Sequence, residues 1–89
     1  MVKETLLMFT GTECSHCHEM EPLVEKLEKE HKVKVERLEV WHNAENMKLL
    51  KNLDGGKCGG VPFFFNMKSK AWICGAEDYS ALKKWALEK

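Results

Sequence analysis

The sequence predicts an α/β domain in which strands and helices follow in the order βαβαββα around a mixed four-stranded sheet. Three observations carry this. Short apolar runs close on glycine or polar clusters, as buried strands do. Between them, apolar residues recur at steps of three and four, the spacing of one helix face. Near the C-terminus, two runs rich in aromatic or branched residues flank a polar turn, the pattern of a hairpin.

Leu6-Leu7-Met8-Phe9, ending at Gly11, reads as a strand buried on both faces. Met20, Leu23, Val24 and Leu27 then mark one face of a helix running to about Glu30. Pro22 falls inside that helix, where it removes one backbone hydrogen bond and is expected to bend the axis. In "VKVERLEV", residues 33–40, valines and leucines alternate with charges, giving a strand with one offset near Glu36 and Arg37. Asn43 can cap a helix through about Leu53, with Met47, Leu50 and Leu53 inward and "DGG" ending it. "VPFFF" and "AWIC" are short strands joined by the turn "NMKSK". A last helix from about Asp78 turns Tyr79, Leu82, Trp85 and Ala86 inward. The first strand–helix–strand unit implies a parallel pair with a right-handed crossover, and the hairpin an antiparallel pair. Repeats, linkers and low-complexity stretches are absent, so a single domain is expected over residues 1–89.

Composition narrows the function. Apolar residues make up 44% and charged residues 31%, a globular balance. Fourteen basic residues match fourteen acidic ones, which argues against nucleic acid, whose binders rely on a basic face. "MVKETLLMFT" is broken by Lys3, Glu4 and Thr5 and does not read as a signal peptide. No run approaches the roughly 18 apolar residues of a membrane span. The expected address is therefore cytoplasmic, where thiols stay reduced and paired cysteines more often serve chemistry or metals than structure. Four cysteines in so short a chain then need a chemical reason.

"FTGTECSHCHEMEP", residues 9–22, supplies one. A thiolate on Cys14 at the start of the first helix faces unpaired N–H groups and the positive end of the helix dipole. Both favour the charged sulfur, the nucleophile of thiol–disulfide exchange. Cys17 lies one turn further in, less exposed but near enough to close a disulfide. Cys14 is thus suited to attack and Cys17 to resolve. A protonated His16 beside Cys14 would favour the thiolate further and make the disulfide more oxidising.

The element order, "FTGTECSHC" at the end of the first strand, Pro22 five residues after Cys17, and "GVPF" at 60–63 together resemble the thioredoxin–glutaredoxin superfamily over nearly the whole chain. The resemblance implies a three-layer α/β/α sandwich acting as a dithiol–disulfide oxidoreductase. It implies a cis Val61–Pro62 bond beside the cysteines, with the Val61 backbone pairing a substrate strand and Phe63 near the substrate. With His16 beside the cysteines, a potential above the roughly −270 mV of thioredoxin is expected. Partners would be disulfide-containing proteins or glutathione, with a disulfide reductase restoring the dithiol, no bound cofactor or metal, and a monomeric chain.

Departures are specific. Thioredoxins carry a Trp directly before the first cysteine and a buried Asp six residues before it. Here these are Glu13 and Met8, so the usual internal proton acceptor is missing, and Glu13, His16 or His18 could carry protons instead, though none is in the family's position. Glu13 also opposes the thiolate as a like charge, against the effect of His16. "CGAED", residues 74–78, is similar to the stretch with which glutaredoxins hold glutathione, so Gly75 and Asp78 are candidate glutathione contacts. The plainer reading has Asp78 capping the last helix. The chain falls between the two branches.

Cys58 and Cys74 admit two readings: small semi-buried apolar side chains, or a second redox pair that regulates or relays electrons. A zinc site shared with Cys14 and Cys17 would make the chain a non-enzymatic zinc- or partner-binding module. Against it, Cys58 and Cys74 stand sixteen residues apart, not at knuckle spacing. "CSHCH" also satisfies the letters of c-type haem attachment. That would need an extracytoplasmic address and leave the Val-Pro match unexplained. Trp41, Trp72, Trp85 and Phe63 to Phe65 read as core and as a rim around the substrate groove, and His18 as an exposed helix position.

Overall fold

The computed structural model describes residues 5–87; the outermost parts of the expected domain, 1–4 and 88–89, lie outside the described residues. The elements are β1 (Leu6–Thr10), α1 (Ser15–His31), β2 (Val35–Glu39), α2 (Ala44–Asp54), β3 (Phe63–Asn66), β4 (Trp72–Cys74) and α3 (Tyr79–Leu87). The sheet order is β2-β1-β3-β4, with β1 and β2 parallel and the other two pairings antiparallel.

Alternation along the strands builds the layers. Leu6 and Met8 of β1 and Phe64 of β3 face one side, where they meet Met20, Val24 and Leu27 of α1 and Leu82 and Trp85 of α3. Leu7, Phe9, Phe63 and Phe65 face the other, toward Leu50 of α2. The central strands are apolar at successive positions because helices cover both faces. This gives the expected α/β/α sandwich.

β2 is shorter than the 33–40 run, and its offset has a simple cause. Val35 packs under α1, whereas Leu38 and Val40 pack toward α2, so the break in alternation is a change of face. Arg37 shares the α1 side with Val35 and bonds Glu21 (3.2 Å) and Glu28 (2.7 Å). Glu28 also accepts from the Val35 N–H at 2.9 Å. Burial opposes its ionisation, but Arg37 and that N–H together hold its carboxyl below the usual range.

Both ends of α2 are as expected. Asn43 caps it through Asn46 N, and Gly55, at φ 57°, closes it by donating to Lys51 O. Pro22 stands inside a continuous α1. The β3–β4 turn is organised by Asn66, which is 2% exposed. Its side-chain oxygen accepts from Lys68 N and Ser69 N, and its amide donates to Trp85 O at 3.1 Å. Asp78 caps α3 by accepting from Ala81 N at 2.9 Å. Among the described residues no helix is long and apolar enough to cross a membrane.

Candidate active site

The loop leaving β1 turns at Gly11, whose carbonyl accepts from Cys14 N at 3.0 Å. Cys14 is the N-cap of α1, with extended φ/ψ of −85° and 110°, and its sulfur accepts from Cys17 N at 3.2 Å. A sulfur in the capping position receives one of the helix's orphan N–H groups and sits at its positive end. Cys14 and Cys17 form a disulfide, Cα atoms 5.2 Å apart. Cys14 is 6% exposed and Cys17 1%, so the first sulfur is the more accessible one, yet more covered than expected. Part of the cover is Val61, whose carbonyl oxygen lies 3.9 Å from Cys14 Sγ.

The Val61–Pro62 peptide is cis. Pro62 is buried, and its carbonyl accepts from Gly75 N at 2.8 Å, which sets Gly75 (φ 89°) beside the same segment. Phe63 requires a correction. It is fully buried between Phe9, Phe65 and Trp72, so its ring belongs to the core under α2 and cannot line a substrate surface. The Asp78 side chain is engaged in capping α3.

His16 is 69% exposed, and its Nδ1 lies 3.4 Å from Glu19, so a positive charge there is shared with a carboxylate on the same helix. His18 donates to the Thr12 carbonyl at 2.7 Å, tying the helix to the entering loop. Glu13 is paired with His42, whose Nε2 lies 2.9 and 3.0 Å from its oxygens. Those hydrogen bonds, with the Glu13 and then the Glu39 charge, raise the His42 pKa against local desolvation. When protonated, His42 offsets the negative charge next to Cys14 from a position distant in sequence. Glu39 accepts from Thr12 N (2.9 Å), His42 N (2.7 Å) and Trp41 N (3.2 Å), which clamps the two loops together. Glu13, Glu39 and His42 bring one ligand atom each within 4.8 Å of one another, enough for a cation in principle, though each already has partners within the chain.

Sequence reasoning missed Asp54, and it read Trp41 only as core or rim without its contact to Gly11. The Trp41 indole covers Gly11 so closely that a Cβ there would lie 2.5 Å from the ring, and the residue is still 47% exposed. It therefore supplies aromatic surface at the mouth of the site, although Glu13 occupies the position before Cys14. Trp41, Val40, Met47, Leu50, Asp54 and Val61 line a cavity of about 220 Å³. Asp54, 5% exposed at the end of α2, accepts from Cys58 N and Gly59 N and so holds the loop leading to Val61. An exposed tryptophan in the polar stretch "VWHNAEN" was the one available signal.

Cys58 and Cys74 form a second disulfide, Cα atoms 5.4 Å apart. This replaces the reading of two free apolar side chains. It also pairs the four sulfurs two by two, occupying the ligands a shared zinc site would need.

The thioredoxin family model matches residues 1–87. The chain belongs to the thioredoxin family. As a thioredoxin domain with its CxxC pair at disulfide distance, it is a thiol–disulfide oxidoreductase. Its fold is similar to oxidised mitochondrial thioredoxin 3 from Saccharomyces cerevisiae (25% identity, 89% of this chain and 72% of that one, TM-score 0.69). It is similar also to a thioredoxin variant from Halobacterium salinarum (28% identity, 89% and 67%, TM-score 0.66). A glutaredoxin from Archaeoglobus fulgidus shares the fold at 17% identity (94% and 87%, TM-score 0.67). No curated protein sequence matches. Thioredoxin-family proteins act on disulfide substrates and rely on reductase partners.

Proposed function

We propose that the Cys14-Ser-His-Cys17 dithiol reduces or exchanges disulfides of protein substrates, with Cys14 as nucleophile. The observation that carries this is the capping geometry: Cys14 Sγ accepts an α1 N–H and faces the Val61 carbonyl. In the reduced form the Cys14 thiolate attacks one substrate sulfur, the substrate S–S bond breaks, and the other substrate sulfur leaves and takes a proton. Cys17, deprotonated, then attacks Cys14 of the mixed disulfide. The Cys14–Cys17 disulfide forms, and the second substrate thiol is released. Two electrons have passed to the substrate, and a disulfide reductase supplies two more to restore the Cys14–Cys17 dithiol.

The Val61 backbone next to the sulfurs aligns an extended chain as an added strand. The apolar cavity beside it, walled by Trp41, Met47 and Leu50, accepts a substrate side chain, which favours proteins over small disulfides. Glutathione mixed disulfides are the second reading, supported by Gly75 lying against Pro62 at the entry to α3. Insulin reduction by dithiothreitol tests the proposal. The protein should accelerate it and the Cys14→Ser variant should not; a variant as fast as the parent would refute the assignment. A glutathione mixed-disulfide assay run alongside separates the two substrate readings.

A further inference from the structure

Two disulfides bracket one short segment. Gly59-Gly60-Val61-Pro62 starts directly after Cys58, and the residue that follows, Phe63, lies opposite Cys74 in the β3–β4 register. From the α1 side, Cys14 Sγ contacts the Val61 carbonyl. Gly59 (φ 79°) and Gly60 have open space where a side chain would be, so little packing restrains them. The polar anchors are the Asp54 carboxylate on Cys58 N and Gly59 N, and Gly75 N on the Pro62 carbonyl. The covalent anchor is Cys58–Cys74. Cys74 is exposed on the edge strand β4, whereas Cys14 and Cys17 are both buried. Of the two bonds, this one is the more open to an incoming thiolate.

We propose that Cys58–Cys74 is a second redox-active disulfide, reducible by dithiols through Cys74, whose oxidised state holds the Val61 edge in place for protein substrates. The claim rests on the exchange reading above. A thiolate of the dithiol attacks Cys74 Sγ, the Cys58–Cys74 bond breaks, and Cys58 leaves and takes a proton. Its thiol then lies 3.6 Å from the Gly60 carbonyl, which can accept the S–H. The dithiol's second thiolate attacks its own sulfur bonded to Cys74, which releases Cys74 and leaves the reagent as a disulfide. Two electrons enter the protein. The loop that carries Val61 then loses its covalent cross-link to β4 and keeps only hydrogen bonds and the packing of Val61 and Pro62, and an edge that is less firmly preorganised binds an extended chain less well.

The first test uses the full chain with Cys14→Ser and Cys17→Ser, titrated with dithiothreitol while thiols are counted by alkylation and mass spectrometry. The remaining pair should open in one two-electron step in the folded protein. Amide exchange at Cys58 and Gly59, whose N–H groups bond the Asp54 carboxylate, should then speed up about tenfold while β1 amides stay protected. Reduction only on global unfolding, or unaltered exchange, overturns the proposal. The second test compares the parent with Cys58→Ala/Cys74→Ala on insulin and on 5,5′-dithiobis(2-nitrobenzoate). KM for insulin should rise about tenfold more than KM for the small disulfide. Equal changes overturn the proposal. A parent protein inert toward both substrates would refute the exchange reading, and amide exchange would still decide whether the second disulfide holds the loop.

Discussion

The two disulfides are made of the same bond and differ in everything around it. Cys14–Cys17 spans one helical turn, caps α1 with its outer sulfur and is buried. Cys58–Cys74 joins a glycine-rich loop to an exposed edge strand and caps nothing. The difference teaches that chemistry follows electrostatic setting. The pair receiving N–H donors at a helix start is equipped to exist as a thiolate, and the pair across the hairpin is equipped to restrain. Both act on the same residues, 61–63, from opposite sides.

Removing one sulfur from each pair breaks the comparison most directly. Cys14→Ser should lower insulin reduction on the order of a thousandfold, as loss of an attacking group does. Cys74→Ser should weaken substrate binding far more modestly. Equal losses in a turnover assay would erase the distinction.

Asp54→Ala asks how much of the loop's order is not covalent. A buried carboxylate that satisfies two backbone N–H groups should cost about 1–3 kcal/mol when deleted. Urea denaturation measures this, and the loss should grow once Cys58–Cys74 is reduced. Gly11→Ala sharpens the other side. Its Cβ would press on the Trp41 ring, so a cost of about 1–2 kcal/mol and a shift in tryptophan emission are expected.

The smallest effect concerns charge. His42 should titrate above 6.5 by NMR, and Glu13→Gln should bring it down. Because the folded-state value is raised, the stabilisation from this pair is complete below the unfolded pKa and is lost as pH rises through the folded one. Glu13 then regains an uncompensated charge next to Cys14.

The element order and the cysteine–proline constellation were legible because each rests on local pattern: periodicity for helices, caps at Asn43 and Gly55, apolar runs for strands. What depends on distant residues meeting was not. Phe63 sits next to the proline in sequence, yet strand alternation turns its ring into the core. His42 pairs with Glu13 across two loops, and Trp41 reaches Gly11 from the end of β2. Asp54 reads as an ordinary polar position near a helix end until the chain folds back to offer it two N–H groups. The Cys58–Cys74 bond depends on the hairpin bringing residues sixteen apart together.

Asn66 was read as the first residue of a polar turn, and it joins two elements that could otherwise assemble separately. One amide group specifies the β3–β4 turn and grips the main chain of the C-terminal helix. Shifting the pairing by a residue would strand that amide in an apolar interior, so hairpin alignment and helix docking are selected together, as one cooperative step.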